Sequence, residues 1–150
     1  MRAHRPDDAI AVLGLTATDL WPGEEWNFVF GMATYDQRVG VWSVARFGDP
    51  AQDRLGLLRR MLKTALHETG HMFTMHHCTA WNCLMSGSNN LRETDRRTMD
   101  ACPECTAKIW VLSGCDPAAR FQALAKLAGE HDLDAEQAQW LKAAETLVAP

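Results

Sequence analysis

Between residues 67 and 105 the chain sets His67-Glu68-Thr69-Gly70-His71 and His77 directly against Cys78, Cys83, Cys102 and Cys105. An imidazole cluster therefore abuts a thiol cluster, and any fold must serve both. On an α-helix, residues four apart differ by about 40° of rotation and about 6 Å of rise, so His67 and His71 present their rings to one point. A zinc ion fits there. Glu68 lies on the neighbouring face, where a carboxylate reaches a water at the ion without ligating the metal, and it is the candidate general base. His77 shares the point only if the helix ends and the chain turns after about Phe73. A helix with polar residues on a solvated face would explain the five-residue motif alone, but not His77 and four cysteines in register with it.

The spacing Cys78-x4-Cys83, followed by Cys102-Pro103-Glu104-Cys105, resembles the two knuckles of a closed four-cysteine zinc site. A redox pair at Cys102 and Cys105, or isolated buried thiols, are the competing readings. Four cysteines rather than two favour the zinc. Cys115 is left over. Five cysteines without a signal-like N-terminus point to reduced thiols and a cytoplasmic protein.

The 150 residues, 47% of them hydrophobic, suit one domain with a real core. No apolar run nears the roughly 20 residues that cross a bilayer, so no membrane partner is expected. A net charge of −4 without a Lys/Arg block argues against nucleic acid.

Ala9 to Thr16 is an apolar run suited to a buried strand. Trp26 to Ala33 and Arg38 to Phe47 read as an antiparallel hairpin joined by Tyr35-Asp36-Gln37, with their aromatic residues as packing. Asp49-Pro50 predicts the start of a long helix carrying Leu55, Leu58, Met61, Leu62, Ala65 and Leu66 at helical spacing, and this helix delivers the histidines. Ser86 to Asn90 is a turn cluster, and Arg92 to Arg97 reads as solvated surface. Cys102-Pro103 opens a helix to about Leu112, Asp116-Pro117 another to about Gly129, and Asp134 with Gln137 a last one to about Val148.

His67-Glu68-x-x-His71-x5-His77-Cys78-x4-Cys83-x-Met85, followed by Cys102-x-x-Cys105, resembles the signature of the archaemetzincins, a branch of the metzincin zinc metallopeptidases. The likeness covers Val12 to about Lys108. It implies an α+β fold: a small twisted mixed sheet with an antiparallel edge strand, packed on a long active-site helix and followed by a helical C-terminal part. Residues 1–150 would form a single catalytic domain, 1–77 supplying the sheet and helix and 78–150 the Met-turn, the four-cysteine site and the last helices. The resemblance further implies an extended substrate along Asn27 to Ala33, Met85 as the Met-turn methionine, and a second, structural zinc on the four cysteines.

Two departures stand out. Metzincins usually carry glycine where this chain has Thr74, so either the turn is strained there, Met75 absorbs it, or His76 replaces His77 as ligand. The chain is also short before His67 for the family, which would leave a sheet edge open to self-association. The expected function is zinc-dependent peptide-bond hydrolysis, with two zinc ions per chain and a peptide or protein substrate. A zinc-stabilised binding module without catalysis, and a CxxC oxidoreductase, are the other classes the residues allow.

Overall fold

The computed structural model describes residues 6–148. Along it run β1 (Val12–Thr16), β2 (Gly31–Ala33), β3 (Val39–Ser43), α1 (Arg54–Met72), α2 (Leu91–Arg96), α3 (Pro103–Ser113), α4 (Pro117–Glu130) and α5 (Asp134–Val148). The expected α+β class holds. β2 and β3 form the antiparallel hairpin, pairing Gly31 with Trp42 and Ala33 with Gly40. β1 pairs in parallel with β3 from Val12–Val39 to Thr16–Ser43, giving the mixed order β1-β3-β2. The anticipated strands are longer than those formed: before Gly31 the Phe30 carbonyl accepts from Ser43 N–H, and an isolated bridge joins Val29 to Leu20. β1 is half-buried rather than interior, with Leu15 exposed, because it lies at a sheet edge.

Two compact units are distinguished, residues 1–102 and 103–150. Residues beyond His77 return to α1 through α2 and belong to the first unit. Arg60 makes a two-pronged ion pair with Asp95 at 2.7 and 2.8 Å and donates to the Phe47 carbonyl at 2.6 Å. The buried Lys63 ammonium donates to the carbonyls of Thr94 and Asp95, at the C-terminal end of α2 where the helix dipole favours a cation.

α1 begins four residues later than Asp49-Pro50 suggests. Residues 49–53 form a turn on the Asp49 carbonyl, and the Asp53 carboxylate caps α1 by accepting from Gly56 N–H at 2.8 Å. Gly56 permits the cap, since a Cβ there would strike that carboxylate. In the second unit Asp116 caps α4 as expected, with Pro117 opening it. α5 already includes Asp134, one residue earlier than a capping-box reading places it, and α4 packs against α5.

Candidate metal centre

His67 and His71 project from one face of α1, and the turn after it returns His77 to the same point. The His71 and His67 Nε2 atoms lie 3.0 Å apart, and those of His67 and His77 3.3 Å apart. Each Nδ1 of the helical pair has a carbonyl partner: His67 donates to Leu84 at 3.0 Å and His71 to Met75 at 2.7 Å. That assignment puts the protons on Nδ1 and turns bare Nε2 lone pairs toward one another. Neutral lone pairs repel unless a cation lies among them, and zinc bonded at about 2.0–2.1 Å to tetrahedrally placed nitrogens sets them about 3.3 Å apart. The donor set fits zinc.

Burial, with Arg97 and the other rings adding to it, holds the histidines neutral. It lowers His67 to about 3, and His71 and His77 also fall below the ordinary imidazole value. His77, rather than His76, joins the pair; His76 packs against the Tyr35 ring instead.

Glu68 is buried beside the histidines, on a cleft of about 760 Å³. Desolvation pushes its carboxyl up to about 7, against the pull of the Arg97 charge. The edge strand passes so close that a Cβ on Gly31 would collide with the Glu68 carboxylate, so only glycine fits at that point of β2. Val29 to Ala33 form one wall of the cleft, and Trp26, read from the sequence as packing, lines it while remaining about half exposed.

Thr74 takes φ +66°, so the turn is made at the β-branched residue itself and not at Met75. Its N–H reaches the His71 carbonyl at 2.9 Å, and the Met75 N–H reaches Gly70 at 3.0 Å. This paired pattern closes a helix in the way a left-handed glycine usually does. Two hydrogen bonds hold a backbone conformation that threonine disfavours by about 1–2 kcal/mol.

Met85 is fully buried beneath the helix, where a Cβ on Gly70 would meet its sulfur. The peptides around it tie the clusters together. The Cys78 N–H donates to the Met85 carbonyl at 2.9 Å, while Leu84, whose carbonyl orients His67, donates its own N–H to Asp100. Gly87 lies flush against the His77 ring, where an added Cβ would stand 3.2 Å from the ring atoms.

Cys78, Cys83 and Cys102 gather on the far side of this loop, with Sγ atoms within 4.8 Å of one another. The Cys78 and Cys102 sulfurs are 3.9 Å apart, close to the roughly 3.8 Å of two thiolates on a tetrahedral zinc and far from the roughly 2 Å of a disulfide. The Cys83 sulfur accepts N–H groups from Met85 at 3.4 Å and Cys102 at 3.3 Å, as a thiolate would. Burial opposes ionisation of Cys78, yet the backbone N–H groups of Ala80 and Trp81 and the neighbouring thiols outweigh it and lower its pKa. These thiols could hold a metal ion. Cys105 stands three residues on from Cys102, in the first turn of α3.

Arg97 escaped the sequence reading, which placed residues 92–97 on a solvated surface. It is only 6% exposed and lines the cleft. Its Nη1 donates to the Ser86 carbonyl at 2.7 Å and lies 3.2 Å from His67 Nδ1, whose proton is already engaged by Leu84. The alternation of charge along Arg92 to Arg97 hid it. Thr94, the uncharged residue among these charges, is fully buried and shows that one face of this segment turns inward.

The profile of peptidase family M54 matches residues 1–110. Human archaemetzincin-2 is 33% identical over 163 aligned positions, covering 89% of this chain and 45% of that protein. Archaemetzincin from Methanopyrus kandleri is 47% identical over 96 positions, covering 63% of this chain and 53% of the relative. Its crystal structure superposes with a TM-score of 0.63 at 43% identity, over 70% of this chain and 57% of that one. The crystal structure of archaemetzincin from Archaeoglobus fulgidus, complexed with malonate, superposes with a TM-score of 0.60 at 36% identity, over 65% and 60% respectively. The chain spans about half the length of the curated relatives it matches. On a family profile covering most of its length, and on solved archaemetzincins that superpose on it, this chain belongs to peptidase family M54, the archaemetzincins.

Proposed function

We propose that this chain is a zinc-dependent peptidase in which His67, His71 and His77 hold the catalytic ion and Glu68 is the general base. The observation that carries the proposal is the convergence of three imidazoles, two with Nδ1 committed to carbonyls, beside a buried carboxylate on an open cleft. A zinc ion bound there supplies Lewis acidity, polarising a peptide carbonyl and easing the deprotonation of water. Glu68 accepts the water's proton at its carboxylate and delivers it to the leaving amine. β2 offers its outer edge to an extended peptide, whose backbone would add to the sheet and cross the cleft above Glu68. Zinc-dependent cleavage of a fluorogenic peptide panel, abolished by Glu68→Gln with zinc retained, tests the reading; cleavage that survives the substitution overturns it.

A second, structural zinc is assigned to Cys78, Cys83, Cys102 and Cys105, and with it residues 1–150 act as one catalytic domain in the cytoplasm. Full thiolate coordination leaves no position for water, so this ion braces the loop that carries Leu84 and Met85. Two zinc ions per chain by elemental analysis is the expected stoichiometry. The partner is a peptide or protein, and the outer edge of β1 is the place for self-association; a monodisperse monomer by light scattering would remove that last element.

A further inference from the structure

Two buried polar side chains on the cleft wall each keep a polar atom without a hydrogen-bond partner among the described residues. Thr64 is 3% exposed, stands one helical turn before Glu68 and lines the cleft, yet its Oγ1 makes no hydrogen bond among the described residues. Threonine within a helix ordinarily returns its hydroxyl to the carbonyl four residues back, as Thr69 does to Ala65 at 2.8 Å. Arg97, equally buried and on the same cleft, leaves its Nε–H unused. No carboxylate among the described residues lies within ion-pair distance of its guanidinium, whereas Arg46 and Arg60 each hold an aspartate. The charges of Glu68 and Cys83 act on it only from beyond ion-pair distance, and a buried guanidinium without a direct ion-pair partner is costly, as is an idle buried hydroxyl.

We propose that Arg97 and Thr64 form a subsite for a substrate carboxylate, making the cleft selective for peptides with an acidic group beside the bond they present to Glu68. The guanidinium is a planar donor suited to carboxylate geometry, and the Thr64 hydroxyl is a neutral donor on the same wall. Glu68 and Glu25 also line the cleft. Glu25 repels a carboxylate that arrives at its part of the wall, which narrows the register in which an acidic peptide can lie. The carboxylate is that of an Asp or Glu side chain or of a free C-terminus. The inference rests on reading the cleft as a peptide channel.

The test is calorimetric binding to the zinc-loaded Glu68→Gln chain, which should hold peptides without turnover. One pair of probes is an end-blocked hexaalanine carrying a single central Glu or, in its place, Gln; the other is hexaalanine with a free or an amidated C-terminus. One charged probe should bind about 10- to 100-fold more tightly than its neutral counterpart, and the pair that responds names the source of the carboxylate. Adding Thr64→Val, which removes a hydroxyl with no internal partner, should shrink the ratio, and Arg97→Lys should abolish it. Equal affinities within both pairs overturn the subsite. A ratio that survives both variants also overturns it, because the metal would then be holding the carboxylate. Peptide cleavage by the unsubstituted chain is scored separately: cleavage without charge preference removes only the subsite, and preference without cleavage removes only the peptidase.

Discussion

Single side chains at this centre are held to tolerances of a few tenths of an ångström, and glycine positions reveal where. At Gly31 and Gly70 an added Cβ would strike Glu68 and Met85 respectively. Gly70→Ala should therefore push Met85 off the helix and destabilise the fold by about 1–3 kcal/mol, read from urea denaturation. Gly31→Ala should leave the fold largely intact while displacing Glu68, lowering kcat more than KM rises. Unaltered turnover would show that the edge strand can yield. Thr74 presents the reverse case. Thr74→Gly removes the left-handed cost of a β-branched residue but adds freedom to the unfolded chain, so a net gain of about 0.5–1 kcal/mol is expected. A loss of stability would mean that the Thr74 side chain supplies compensating contacts.

The elements matter through what they bring to α1. α2 has six residues, too few to persist alone, and is held by Asn90 at its N-terminus and by Arg60 and Lys63 beneath it. The Arg60 guanidinium keeps Asp95 ionised below the usual carboxylate range despite partial burial. A carboxyl lowered in the folded state contributes stability that is complete above its unfolded value near 4 and is lost as the pH falls through the folded value. Asp95→Asn should therefore flatten the acid limb of the stability profile below about pH 4 and change it little at pH 7 beyond a constant offset. An unchanged acid limb would assign the acid sensitivity to other carboxylates. Because α2 runs directly into Arg97, the same variant should also loosen the cleft wall. The capping carboxylate of Asp53 at the other end of α1 is a separate matter, worth about 1 kcal/mol on replacement by alanine.

At the scale of the molecule, the two candidate metal positions are joined by three residues. Cys83 contributes a thiol, Leu84 orients His67 through its carbonyl, and Met85 underlies the helix while accepting from Cys78. Cys83→Ser should accordingly weaken zinc at the histidines about 10- to 100-fold, the effect expected of losing support behind a metal ligand. A titration with a zinc indicator measures it, and unchanged affinity would mean that the loop keeps its shape without sulfur. What could be read from the chain itself was local: the i, i+4 histidines and the carboxylate beside them, the need for a turn near Phe73, the clustering of the cysteines, the hairpin and the cap of α4. Each follows from spacing or from a backbone preference within a few residues. Arg97, the collision that requires Gly31, the late start of α1 and the choice of His77 over His76 were decided only in three dimensions. Apart from the start of α1, where Asp53 rather than Asp49 wins the cap, they depend on which side chain meets which across long separations, and burial turns Arg97 from a surface charge into part of the cleft wall because α1 anchors the helix before it.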